Sequence, residues 1–246
     1  MPDVQRIALI SDIHGNALAL DAVLRAIRAR GCDEIICLGD VATLGIAPAE
    51  VVARLRQLGC RCVRGNHEDY LIDPALHDQH TQGEAVREAI DWCRAQLSAA
   101  ELDFLAGFEA GFEVPLGAGK RLMLYHGTPS SNTINLLPEL PIEQFDQLLG
   151  ARRSEVMAGG HTHVQMLRQH RGTLVVNPGS VGAPFREYPI DAPPVIMPHA
   201  EYASLDIYAD QISVNLHRVA LDPQVMRSAI LASSNPLAPA LLAPYA

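Results

Sequence analysis

The feature that most restricts how this chain can fold is an alternation near its start. Residues 6–10, 34–38 and 60–63 are short apolar runs, separated by segments whose apolar residues recur at helical spacing. In 17–30 the spaced residues are Leu20, Val23, Leu24 and Ile27, and Gly31 stops the pattern. In the second segment Pro48 suits the first turn of a helix, Val51, Val52, Leu55 and Leu58 give an inner face, and Gly59 ends it. Strand–helix–strand units of this kind build parallel strands, so the N-terminal part is α/β.

From 69 to 111 the pattern turns helical, with Val86, Ile90, Cys93 and Leu97 on one stripe and Ser98 to Glu101 spaced as a capping box. Strands resume at 121–125 and 155–158, with a helix expected over 141–149. The runs 165–170, 173–176, 201–208 and 212–219 read as antiparallel strands, separated by turn material such as Arg171-Gly172 and Ala209-Asp210. The expectation is an α/β fold of two mixed sheets packed face to face with helices outside. Residues 1–232 form one domain, with the helical insert at about 69–111. The Pro-rich stretch 188–198 is a long loop, and the Ala/Pro/Leu tail 233–246 is flexible or a docking arm.

Composition narrows the function. Hydrophobic residues at 48% and charged residues at 19% are an ordinary globular balance that argues against disorder. A net charge of -9 lacks the basic footprint of a phosphate-backbone binder, so no long nucleic acid is expected as a partner. A small anionic substrate needs only local positive charge, which bound divalent metals supply whatever the net charge. The first apolar run is too short for a signal-peptide core or a membrane span, so the expected location is cytoplasmic with no membrane partner. The 5 cysteines include no CxxC pair and fit neither a disulfide framework nor a zinc ribbon; they are expected as reduced thiols.

The chemistry is written at the ends of five apolar runs. The first ends in Ser11-Asp12-Ile13-His14, the second in Gly39-Asp40, the third in Gly65-Asn66-His67-Glu68, the fourth in His126-Gly127 and the fifth in Gly160-His161-Thr162-His163. Ligands of open α/β sheets gather at such ends. Alternation along an extended strand would point Asp12 and His14 the same way. Singly, each block has an ordinary explanation as a cap, a Gly-Asp turn or a structural histidine. Together they place His14, His67, His126, His161 and His163, half of the 10 histidines, at strand ends. Coincidence does not explain that.

These five blocks in order, DxH, GD, GNH with an acidic residue, a later His and GHxH, resemble the calcineurin-like metallophosphoesterase superfamily. Val63 to Glu68, His126-Gly127-Thr128-Pro129 and Asn177-Pro178-Gly179-Ser180-Val181-Gly182 resemble its small bacterial YfcE-like phosphodiesterase branch. The resemblance covers about 6–219. It implies a four-layer αββα sandwich and two divalent metals. Asp12, His14 and His163 would hold one, Asn66, His126 and His161 the other, and Asp40 would bridge both. Mixed imidazole, carboxylate and amide ligands suit Mn, Fe, Zn, Co or Ni, manganese first among them, better than Mg or Ca. The implied reaction is in-line attack on the phosphorus of a small phosphate ester by a metal-bridging hydroxide. His67 would then donate a proton to the leaving oxygen or hydrogen-bond a phosphoryl oxygen, with Asn66 and Asp40 beside it.

The GD block continues Asp40-Val41-Ala42-Thr43-Leu44-Gly45, without the second aspartate and the arginine of protein serine/threonine phosphatases. That weighs against a phosphoprotein substrate and leaves Arg64 and Arg186 as the candidate phosphate grips. Phosphodiester hydrolysis leads, with phosphomonoesters or dinucleoside polyphosphates as alternatives. A non-catalytic scaffold of this fold, of the kind found in the retromer coat, is disfavoured because all seven ligand positions and His67 are kept. Substrate choice is expected in the 69–111 insert and the 188–198 loop, and the oligomeric state stays open.

Overall fold

The computed structural model describes residues 4–76 and 83–246. Residues 77–82 of the expected helical insert, with His77 and His80, lie outside that description. Two five-stranded sheets organise the chain. In the first, β1 (Gln5–Ile10), β2 (Glu34–Cys37) and β3 (Arg61–Cys62) run parallel, and β9 (His199–Tyr208) and β10 (Gln211–Ala220) add antiparallel strands on the far side of β1. The second runs β4 (Phe112–Gly117), β5 (Lys120–Leu124), β6 (Val156–Ala158), β8 (Thr173–Asn177), β7 (Met166–His170).

Alternation along single strands explains the layering. In β1, Ala8 and Ile10 face α1 (Ala17–Arg30) and α2 (Pro48–Leu58), while Ile7 and Leu9 face the other sheet. In β5, Leu122 and Leu124 meet them there, and Met123 faces Phe145 and Leu149 of α6 (Ile142–Leu149) on the outside. A strand covered on both faces needs an unbroken apolar run, which is why these segments lack a polar/apolar alternation. The expected two mixed sheets flanked by helices are therefore observed.

Helix ends follow the chemistry of their residues. Gly31 and Gly59 close α1 and α2 with left-handed φ of 74° and 61°. The Ser98 hydroxyl accepts the Glu101 amide at the start of α5 (Ala99–Ala106), and the Glu101 carboxylate accepts the Ser98 amide at 2.8 Å. Before it come α3 (Asn66–Ile72) and α4 (Glu84–Arg94), which with α5 make up the described part of the insert. All five cysteines are free thiols.

The structure adds to the sequence reading in three places. Strand β4 was not foreseen because Pro115 and two glycines interrupt its pattern, yet it pairs antiparallel with β5 through a bulge between Pro115 and Gly117. The C-terminal strands are not uniformly antiparallel: β8 lies parallel to β6, with β7 hairpinned beyond it. The tail does not hang free. After α7 (Pro223–Ala232), the Asn235 amide donates to the carbonyls of Leu44 at 3.0 Å and Gly45 at 2.7 Å. α8 (Ala238–Leu242) and a final 3-10 turn then bring Tyr245 to 7% exposure against Met226 and Ile230. Burial of those apolar side chains holds a segment whose composition alone reads as loose.

Candidate metal centre

β1 and β2 stop short of the polar residues that follow them, and the two following loops are tied together. The amides of Asp12, His14 and Gly15 donate to the carbonyls of Gly39, Asp40 and Val41 at 3.0, 3.0 and 2.8 Å. Asp12 and His14 are therefore not extended residues sharing a strand face. They are left-handed, at φ of 52° and 45°, as are Asp40 at 57°, His161 at 71° and His163 at 59°. A non-glycine residue in that region is disfavoured by roughly 1–3 kcal/mol and persists only where its surroundings impose it. Five of the expected ligands are held so, and their side chains converge because the backbone turns sharply at each. Close approach adds a glycine requirement: a Cβ at Gly160 would stand 1.9 Å from Ser11 Oγ and 2.6 Å from Asp12 Oδ2.

Two donor clusters result. Asp12, His14 and His163 each offer an atom within 4.8 Å of the others, and so do Asp40, His126 and His161. In the first, His163 Nε2 is 3.4 Å from Asp12 Oδ1 and 2.9 Å from His14 Nε2. In the second, Asp40 Oδ2 is 3.2 Å from His126 Nε2, and Asn66 Oδ1 is 3.1 Å from the same nitrogen. Asp40 Oδ2 also lies 3.9 Å from His14 Nε2, so one carboxylate faces both groups. His67, with Asn66 on the first turn of α3, groups with His14 and Asp40, and its ring stands edge-on to those of His14 and Tyr70 at 5.0 and 5.1 Å. Its Nδ1 is buried with no hydrogen-bond partner.

The donor set fits divalent metal. His14, His126 and His163 each tie Nδ1 to a protein oxygen, Thr43 Oγ1 at 3.1 Å, Leu38 O at 2.6 Å and Ala183 O at 2.7 Å, which turns Nε2 inward. Such outer partners fix ring orientation and tautomer in metal sites. Buried charges otherwise without compensation call for a cation or for each other. Here they pull in opposite senses. Burial raises the Asp40 carboxyl, but the imidazoles of His126 and His67 outweigh it and hold it well below the usual range. Burial lowers His126, yet Asp40 pushes it up to about 10, while burial and His126 drive His161 down to about 4.

Several residues that the sequence reading named only as parts of motifs support the site. The fully buried Glu68 carboxylate accepts the amides of Asp40, Gly65 and Val41, each at 2.8 Å, and so pins the GD loop to the start of α3. Burial and the neighbouring Asp40 raise it to about 7. The available signal was a glutamate at the third helical position after Gly65, placed to accept the amide that opens the helix. In the NPGSVG stretch, Asn177 donates to Gly160 O at 2.7 Å and Thr162 Oγ1 at 3.0 Å, and Ser180 Oγ donates to Asp12 O at 2.6 Å. The two candidate phosphate grips are engaged elsewhere. Arg64 donates to Ala106 O and sits 3.7 Å from Asp69, and the exposed Arg186 pairs with Glu187 at 2.8 Å.

The model of the calcineurin-like phosphoesterase superfamily domain matches residues 6–193. An uncharacterized protein of Methanocaldococcus jannaschii is 31% identical over 195 residues, 72% of this chain and 76% of that protein. The phosphodiesterase YfcE of Escherichia coli K12 is 26% identical over 191 residues, 74% of this chain and 82% of its own. Among solved structures, a metallophosphoesterase from Sphaerobacter thermophilus superposes with a TM-score of 0.74 at 25% identity, covering 98% of both chains.

Proposed function

The chain belongs to the calcineurin-like phosphoesterase superfamily, and from that premise we propose that it is a metal-dependent phosphodiesterase acting on a small phosphate ester. The observation that carries this reading is the meeting of two donor clusters, largely buried, at one carboxylate, Asp40. In it, Asp12, His14 and His163 would hold one divalent transition metal, Asn66, His126 and His161 would hold a second, and Asp40 would serve both. Imidazole, carboxylate and amide donors suit manganese, iron, zinc, cobalt or nickel. Such metals supply Lewis acidity that activates water and neutralises charge developing on phosphoryl oxygens.

The remaining work falls to side chains in place. His67, buried and with an unpartnered Nδ1, stands beside Asp40 and His14, where it donates a proton to the leaving oxygen. Its backbone amide donates to Asp40 Oδ1 at 2.9 Å, which ties the start of α3 to the shared carboxylate. Among the described residues no carboxylate is hydrogen-bonded to its ring Nδ1, and the ring packs against those of His14 and Tyr70. The name of the YfcE relative, 26% identical, favours diesters over monoesters.

The test is hydrolysis of a p-nitrophenyl monoester and the corresponding diester by metal-stripped protein, before and after manganese is added. Turnover restored by metal, with the diester faster, is the expected result. A faster monoester moves the assignment to phosphomonoesterase, and no turnover with metal bound refutes the reading for esters of this kind.

A further inference from the structure

Beside the donor clusters lies a cavity of about 450 Å³ whose wall begins with His14 and His163 themselves. Beyond those two rings its surface is almost entirely carbon. Leu44, Ile46, Phe185, Ile196, Met226 and Leu241 line it, and among the described residues no Asp, Glu, Lys or Arg does. Phe185 joins the two environments, its ring stacked on that of His163 at 4.3 Å between centroids. The wall is assembled from distant parts of the chain: the loop after Asp40, the insert through Val86, the Pro-rich loop through Pro193 and Pro194, and the C-terminal segment through Ala240, Ala243 and Tyr245. The Phe185–Ile196 bridge closes the Pro-rich loop at its base.

A cavity of this size, apolar and open to a polar centre, is the usual form of a site that binds a small molecule by one charged end and one apolar end. We propose that the substrate is a phosphate ester carrying an alkyl or aryl substituent, which enters this cavity while the phosphate lies at the donor clusters. This deepens the phosphoesterase reading and rests on it for the polar end. A nucleobase is the less suitable occupant, because its ring edges need donors and acceptors. The Asn16 amide, one of the few polar groups in the wall, is already committed: it accepts the Ala19 amide and donates to Gly182 O, both at 3.1 Å. The apolar wall offers transfer free energy instead, which grows with each methylene removed from water.

Two assays on the full-length, manganese-loaded protein test this. The first is calorimetric binding of methyl-, butyl- and hexylphosphonate; the second is hydrolysis of methyl, butyl and hexyl p-nitrophenyl phosphate. The expected result is a gain of about fourfold per methylene in affinity and in kcat/KM, the size set by burying a CH2 group. Ala240→Phe and Ala243→Phe, at exposed positions that line the cavity, should remove the chain-length gain, so that the hexyl compounds bind and turn over no better than the methyl ones. A thermal melt reports whether either variant is folded. Turnover of the methyl ester with flat or falling dependence on chain length would overturn the proposal. Chain-length-dependent binding that Ala240→Phe abolishes, without turnover of any ester, would uphold the cavity assignment and refute the phosphoesterase reading.

Discussion

The interior between the sheets and the loops at the sheets' ends are a few residues apart in sequence and opposite in character. Ile7 and Leu9 sit at 0% exposure in regular strand, opposed by Leu122, Leu124 and Val156. By Asp12 and His14 the same chain has turned left-handed and buried a carboxylate and an imidazole. One region lowers free energy by removing apolar surface from water; the other holds strained backbone and unlike charges in place. The contrast teaches where stability and chemistry reside. The positions between the sheets are apolar, and the loops keep their shape because the strands fix their ends.

Substitutions can break or sharpen that contrast. The largest effect is expected for Asp40→Asn, which removes the carboxylate facing both clusters. Losing several kcal/mol of charge stabilisation corresponds to a fall on the order of 10³-fold or more in kcat, with metal content per chain reduced in elemental analysis. Full activity with metal retained would remove Asp40 from the shared position. Next, His67→Ala should keep its metal and lose roughly 10²- to 10⁴-fold in kcat, most for esters with poor leaving groups. A leaving-group dependence identical to that of the parent protein would show that His67 is not the proton donor.

Leu122→Ala probes the other region. It should lower unfolding free energy by about 2–5 kcal/mol in a denaturant titration while activity per folded molecule is kept. A drop in kcat at full folding would show that strain in the loops depends on packing several residues away. The smallest effect is expected for Thr43→Val, which removes the oxygen paired with His14 Nδ1 at 3.1 Å. Metal affinity should weaken by roughly 10- to 100-fold, read by titration against a chelator, and excess metal should restore turnover.

Much of this was legible in residue order. The helix over Ala17–Arg30 and its glycine stop follow from apolar spacing and backbone freedom, both local properties. The candidate donors were legible because histidine and aspartate at strand ends are rare enough that five blocks in order carry information. Other features had no local signature. Strand β4 exists because β5 offers it a partner, and Tyr245 is buried because Met226 and Ile230 lie beneath it. Arg64 looked free to grip phosphate until Ala106 and Asp69 were brought beside it.

By itself, the sequence determined the alternation of strands and helices and the family, and it named the side chains that the fold gathers into the donor clusters, since each depends on residue type and spacing along one dimension. Only the tertiary structure decided that Asp40 faces both clusters, that Glu68 clamps the loop behind it and that a cavity opens beside His14 and His163. Each of those arises between segments far apart in the chain, where packing of the sheets and the C-terminal segment sets the distances.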